Sequence, residues 1–435
     1  MIETIKKPEE AEVDWLKHAP ESWEIKRIKD IILKISSGVT PKGGSENYVD
    51  RGVPLIRSQN VHNDGLRLEN VSFISNEVHS KMSNSKVQPY DVLINITGAS
   101  IGRACAVPET IQEANINQHI LCLRTKKEKV NYLAYYLQTN SVQEYIMSIQ
   151  AGSSKEALNM SQTLNIPLPE PPQVAQREIT SYLDSKTQAI DKKIKLFQEK
   201  IAIYKEYRRT LINETVTKGI YKNTSHWQSS RLKDIGRLYS GLSGKSGNDF
   251  NQDENPNNKG FIPFTNIANN TYLDKDHLGS VVIENNENQN SVKKGDLFFL
   301  MSSEGYEDIG KSAVLLDDIG EAYLNSFCKG FRIKNKNCES SFVNYVLLSD
   351  HYRQQMLIEG KGFTRINLKM EKVNNFEIRI PPSKKEQIEI AEFLDHKTEV
   401  IDKIVGNIKK QIKTLKELRK TLINDVVTGK IKVID

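Results

Sequence analysis

Apolar residues recur at three- and four-residue steps through one long stretch, at Ile179, Leu183, Ile190, Ile194, Phe197, Ile201, Tyr204 and Leu211, with Arg208 interrupting them. That period puts them on one stripe of a continuous helix of about 40 residues, roughly 60 Å long at 1.5 Å per residue. A second stretch repeats the first without a gap: YLDSKTQAIDKKIKLFQEKIAIYKEYRRTLINETVT stands against FLDHKTEVIDKIVGNIKKQIKTLKELRKTLINDVVT. The counterparts are Ile390, Leu394, Ile401, Val405, Ile408, Ile412, Leu415 and Leu422, at a constant offset (394 − 183 = 211). Neither helix buries its stripe alone, so the two are expected to bury each other as an antiparallel, coiled-coil-like spacer of fixed length. The seam then comprises Leu183, Ile190, Ile194, Phe197 and Ile201 against Leu394, Ile401, Val405, Ile408 and Ile412.

Outside the helices the period shortens. WEIKRIKDI reads as a strand entering a short helix, VPLIRSQNV, YDVLINIT and HILCLRT as strands, NYLAYYLQTNSVQEYI as helical, and SQTLNIPLP as a closing strand. After the first long helix the same order restarts. WQSSRLKDI answers WEIKRIKDI, IPFTNI answers PLIRSQNV, and KKGDLFFLMSSEGYEDIGKSAV answers QPYDVLINITGASIGRACAV. Gly102-Arg103 faces Gly310-Lys311, while Asn117 and Arg124 match Asn325 and Arg332 at one offset. The predicted class is α/β in the broad sense (α+β): two mixed α/β domains and two long helices in a pseudo-two-fold internal repeat. The expected boundaries are an arm over 1–22, a domain over 23–170, a spacer helix over 171–222, a domain over 223–380 and a spacer helix over 381–435. Strand cores agree between the copies and loops do not. NDFNQDENPNNKG and ENNENQNS lack counterparts in the first copy and are expected to be mobile surface loops.

Composition narrows this only modestly. A net charge of +6 with both signs abundant permits nucleic-acid binding without requiring it. Cys105, Cys122, Cys328 and Cys338 form no CxxC pair and no zinc or disulfide spacing, which fits a reducing, cytoplasmic location. The start, MIETIKKPEEAEVDWL, has no apolar segment and no later apolar run approaches a membrane span, so neither secretion nor membrane insertion is expected.

No catalytic set emerges. SGLSGKSG approaches a phosphate loop at Gly244-Lys245-Ser246, but Tyr239 stands where the first glycine is needed. NIPLPEPP approaches the loop of amino-methyltransferases, yet Ile166 follows Asn165 and no aromatic follows the prolines. Pro167, Pro169, Pro171 and Pro172, like Pro381 and Pro382, are expected to stop a strand and lead into a long helix. The eight histidines show no metal spacing, so no metal site is expected. What remains is recognition chemistry. Lys42, Arg57, Gln59, Asn60, Arg103, Asn117, Gln118 and His119 sit in or beside polar turns of the first domain, and Arg, Asn and Gln read base edges bidentately. Lys245, Thr265, Asn266, Ser303, Lys311, Asn325 and Arg365 are the second domain's set. For any one of them, forming a turn is the commoner duty. Lys192, Lys193, Lys409 and Lys410 read as a solvated helix face.

The ending LRKTLINDVVT, its partner RRTLINETVT, the segment QIEIAEFLDHKTEVID, the block YDVLINITGASIG and the lead-in WLKHAPESWEIKRIKDI together resemble the DNA-specificity subunits of type I restriction-modification systems. The resemblance spans essentially the whole chain. VTKGI in place of VTGKI, and QREITSYLD opposite QIEIAEFLD with one residue fewer after its Pro-Pro, depart from it only in register. It implies a non-catalytic subunit with two target-recognition domains, each reading half of a split site in double-stranded DNA. It further implies two methylation subunits docked on the spacer, with endonuclease/translocase subunits joining them. S-adenosylmethionine, ATP and magnesium are then expected in those partners and not in this chain.

Overall fold

The computed structural model describes residues 16, 19–149, 157–252, 254–305, 308–362 and 365–433. The arm expected over 1–22 lies outside them, apart from Leu16 and residues 19–22.

The two predicted helices are Gln173–Lys218, of 46 residues, and Lys384–Val427, of 44 residues. Both begin alike. After Pro171-Pro172 the buried Gln176 side chain donates to the Pro171 carbonyl at 2.8 Å, and after Pro381-Pro382 Gln387 does the same to Pro381 at 2.8 Å. Each glutamine thereby satisfies a carbonyl that proline geometry leaves without a helical partner. Both helices also end alike, on a left-handed glycine, Gly219 at φ 69° and Gly429 at φ 81°.

The chain forms two compact units, Met1–Gln198 with Lys409–Asp435, and Glu199–Ile408. In unit 1 a four-stranded antiparallel sheet runs in the order Ala104–Ala106, Val92–Asn95, Ile120–Thr125, Ile32–Ser37. Val92–Asn95 is buried throughout, so alternation places Val92 and Ile94 in one core and Leu93 in another. The first core is closed by helices Val130–Leu137 and Asn140–Ser148, by Ile179 and Leu183 of the first long helix, and by Ile423, Val426 and Val427 of the second. The second core lies under a five-stranded sheet containing Val53–Ile56 and Ala114–Ile116 in parallel.

Unit 2 repeats the plan. Its four strands are ordered Gly236–Ser240, Cys328–Ile333, Leu297–Leu300, Ser312–Val314. Leu297 and Phe299 enter the core that holds Ile212 and Val216 of the first long helix and Ile390, Ala391 and Leu394 of the second, while Phe298 and Leu300 enter the other. Each unit therefore takes the beginning of one long helix and the end of the other.

Within each unit the two helix portions run antiparallel. Arg419 meets Asp191 at 3.1 Å in unit 1 and Arg208 meets Asp402 at 3.4 Å in unit 2, four residues related in pairs by the repeat. Of the expected seam, Ile194, Ile401, Val405 and Ile408 are buried and Ile190, Phe197, Ile201 and Ile412 half-buried. Leu183 and Leu394, fully buried, belong instead to the globular cores, each roughly 1.5–3 kcal/mol of burial that fastens a helix to its unit.

Three local expectations change. In SQTLNIPLP, Met160–Leu164 is helical and the strand is Pro167–Glu170. Pro167 and Pro169 sit inside that strand, which pairs antiparallel with Glu24–Arg27 in a two-stranded ribbon where a missing N–H is tolerated. The loop ENNENQNS is pinned: Gln289 donates to the Ser243 carbonyl at 2.8 Å, Ser243 N–H returns a bond at 3.2 Å, and Lys245 pairs with Glu287.

Candidate nucleic-acid interface

In unit 1 the segments after strands Ile32–Ser37, Val53–Ile56 and Val92–Asn95 and before strand Ile120–Thr125 gather at one edge. Backbone bonds hold them there: Gly38 N–H to Ile120 O at 3.1 Å, Val39 N–H to Ile116 O at 3.0 Å, and Asn117 N–H to Ile56 O at 3.0 Å. The approach is close enough that a Cβ on Gly38 would lie 1.9 Å from Asn117 O, so only glycine fits. Unit 2 builds the same edge, with Leu242 N–H to Leu324 O at 2.7 Å, Asn325 N–H to Ile262 O at 3.2 Å, and Gly241 against Asn325 O.

The unit 1 candidates come together on this edge. Thr97 Oγ1 is 2.7 Å from His119 Nδ1, His119 Nε2 is 3.2 Å from Gln118 Nε2, and Thr40 donates to Gln118. Asn95 donates to Ser58 O at 2.8 Å and to Ser100 Oγ at 3.1 Å, joining the segment of Arg57 and Gln59 to that of Arg103. Lys42, Gln59 and Gln118 are exposed, and Arg57, Arg103, Asn117 and His119 are partly so. The Arg57 guanidinium lies 5.9 Å from the Tyr48 ring centre, and its Nε is buried with no hydrogen-bond partner among the described residues.

Four asparagines turn out to hold turns. Asn60 donates to Arg67 O at 2.9 Å and accepts from Arg57 N–H at 2.9 Å. Asn266 donates to Asp274 O and His277 O, both at 2.8 Å, and its Oδ1 accepts from Asp274 N–H at 3.0 Å. Both are buried, at 3% and 0% exposure. Asn117 Oδ1 accepts from His119 N–H at 3.3 Å, and Asn325 Oδ1 from Phe327 N–H at 2.9 Å. Bidentate reading of adenine uses both the amide oxygen and the nitrogen, which in buried Asn60 and Asn266 are already bonded within the turn, whereas in Asn117 and Asn325 one accepted bond leaves the oxygen a second lone pair. The matching Arg124 and Arg332 are likewise structural, each forked onto a buried carboxylate, Asp91 at 2.7 and 2.8 Å and Asp296 at 2.8 and 2.6 Å.

Unit 2 keeps fewer side chains available. Lys245 is nearly buried against Glu287, whose carboxyl the lysine, with the Gln289 amide and the Glu284 N–H, holds down to about 2. Lys311 is spent on Asp308 at 2.6 Å and Ala268 O at 3.2 Å, and buried Ser303 accepts from Gly305 N–H at 3.1 Å. Thr265 is exposed, 3.2 Å from His277 Nε2, and exposed Arg365 stacks 4.3 Å from the centre of the Phe327 ring.

Phe327 escaped the sequence reading. It is 44% exposed and, two residues after Asn325, occupies the place His119 holds two residues after Asn117. An aromatic residue inside the polar turn NSF was the available signal. At equivalent positions the two edges therefore present Gln118 and His119 in one unit, and Ser326 and Phe327 in the other.

Other chemistry is sparse. The four cysteines are buried, and burial pushes the Cys105 and Cys328 thiols up to about 12, well clear of reactive thiolate. Among the described residues no group of His, Cys, Asp and Glu could hold a metal ion. No described helix is long and apolar enough to cross a membrane.

Comparison with known proteins bears on this duplicated edge. The sequence pattern of the family described as Type I restriction modification DNA specificity domain matches twice, over residues 20–199 and 224–414. The Type I restriction enzyme MjaIX specificity subunit of Methanocaldococcus jannaschii is 25% identical, covering 95% of this chain and 94% of its own. A solved chain described under "Structural basis underlying complex assembly and conformational transition of the type I R-M system" superposes with a TM-score of 0.71 at 15% identity, over 95% of this chain and 99% of its own. The HsdS subunit from Thermoanaerobacter tengcongensis gives a TM-score of 0.51 at 15% identity, over 95% and 98%.

Proposed function

Because the chain belongs to the family of type I restriction-modification DNA specificity proteins, we propose that it is the sequence-reading, non-catalytic subunit of such a complex, each domain reading one half of a split DNA site. The observation that carries this is one edge built twice on the same backbone frame with different side chains. A shared frame docks both domains on DNA in the same manner, and unlike side chains give the half-sites different sequences.

In the first domain Arg57, Gln59, Arg103, Gln118 and His119 are the readers and Lys42 a phosphate contact. In the second, Thr265 and the Arg365–Phe327 stack take that role. The boundaries 23–170 and 223–380 define the exchangeable readers. The two long helices set the spacing of the half-sites and supply the surface on which two methylation subunits dock, with endonuclease/translocase subunits joining them. S-adenosylmethionine, ATP and magnesium belong to those partners, and the complex works in the cytoplasm.

The test is reconstitution with the cognate methylation subunits followed by mapping of methylated adenines. One split sequence is expected. Replacing residues 23–170 by the corresponding domain of a relative should change one half only, and methylation indifferent to that exchange refutes the reading.

A further inference from the structure

The repeat places one arginine of each long helix at the same position, and the two meet different surroundings. In unit 1 Arg419 is fully engaged: besides Asp191, it donates to Asn63 O at 3.2 Å and to Gln138 Oε1 at 3.4 Å. Asn63 and Asp64 form the tip of a tight hairpin between Val61–His62 and Gly65–Leu66, and that tip lines a cavity of only about 220 Å³ over the helix.

In unit 2 the corresponding segment, Asn269–Thr271, is held away. The Asn270 amide donates back to Asn266, and Thr271 O accepts from Val314 N–H and the Asn344 amide. Leu348 stands where Gln138 stood. Arg208 is left with Asp402 at 3.4 Å, its Nε buried without a hydrogen bond, beside a cavity of about 720 Å³ lined also by Tyr272, Tyr345 and Asp395.

We infer that this open pocket of unit 2 receives a turn of a partner protein, which gives Arg208 the backbone carbonyl that Asn63 gives Arg419. Charge selects the occupant. Arg208 and Lys403 face Asp395, Glu399 and Asp402, so the lining is net negative and repels phosphate, nucleic acid and other anions, whereas a neutral peptide carbonyl meets no such penalty. The same helix exposes Ile203 and Tyr207, five and one residues before Arg208, at 68% and 53%, apolar surface suited to a protein partner. The inference rests on the proposed assembly and deepens it. Two docking faces that the repeat makes alike are distinguished at this pocket, so the two methylation subunits are held unequally.

The full chain, titrated with its cognate methylation subunits, tests this. Arg208→Met keeps the stem and removes the donors, and Asn269→Trp, at an exposed position, fills the mouth of the cavity. Each should weaken one of the two copies on the order of tenfold, the usual scale for a buried interface arginine, while the other copy binds as before. No loss at either copy, or equal loss at both, overturns the inference and leaves the specificity reading intact. A wild-type chain that binds no methylation subunit overturns the assembly reading and this inference with it.

Discussion

Ile212 lies on the helix that follows the first domain in sequence, yet it is buried in the core of unit 2. Ile423, its repeat partner, follows the second domain and is buried in the core of unit 1. Truncation to alanine should therefore loosen the domain that the chain order does not suggest. Both side chains are nearly inaccessible, at 4% and 1%, and deleting a buried isoleucine down to alanine costs about 2–5 kcal/mol. At about 3 kcal/mol, with every 1.4 kcal/mol worth a factor of ten, the opened population rises roughly 100-fold. Amide hydrogen exchange reads this directly. Ile212→Ala should speed exchange in Leu297–Leu300 and Ser340–Leu348 and leave Val92–Asn95 and Val130–Leu137 protected, and Ile423→Ala should do the reverse. Faster exchange in the domain preceding the mutated helix, or equal acceleration in both, would refute the crossed anchoring.

In the assembled complex Phe327→Ala and Arg365→Ala should relax one half of the target and Gln118→Ala the other, each by about 1–3 kcal/mol of discrimination, measured as Kd on DNA altered in one half; a uniform loss over all sequences would show that they do not read bases. Ile194→Asp in unit 1 or Val405→Asp in unit 2 places a charge on the buried helix face and should cost several kcal/mol, seen as a lowered denaturation midpoint; an unchanged midpoint contradicts burial of that stripe. Lys245 first, then the Gln289 amide and the Glu284 N–H, lower the Glu287 carboxyl from 4.5 to about 2, so the stabilisation these contacts give is complete above pH 4.5 and is lost as pH falls through about 2. Limited proteolysis across 284–291 should therefore increase only in acid, and Glu287→Gln should abolish that pH dependence; cleavage of wild-type protein already brisk at neutral pH would show that the loop is not pinned.

The long helices were legible because their signal is local and periodic. Eight apolar positions at helical spacing, duplicated at one offset, leave little else for the chain to do, and TLIN and Gln-x-Glu-Ile mark the same helix ends twice. The strand cores VPLI, DVLIN and HILCLRT were legible for the same reason, since alternation and continuous burial are written in a few adjacent residues.

The role of a single polar side chain was not. Asn60, Asn117, Asn266 and Asn325 all have the chemistry of base readers, yet Asn60 and Asn266 are buried with oxygen and nitrogen both bonded to backbone groups that the turn brings to them, while Asn117 and Asn325 each accept a single N–H. Lys245 and Lys311 became ion-pair members because Glu287 and Asp308 fold beside them, and Phe327, an apolar residue, is left 44% exposed under the Arg365 guanidinium. Sequence by itself determined the repeat, the helices, the succession of elements along the chain and the family. Tertiary structure alone decided which end of each helix enters which core, and which of two equivalent arginines is satisfied. Those outcomes depend on partners far apart in the chain, and a hydrogen bond counts only when both of its ends are in place.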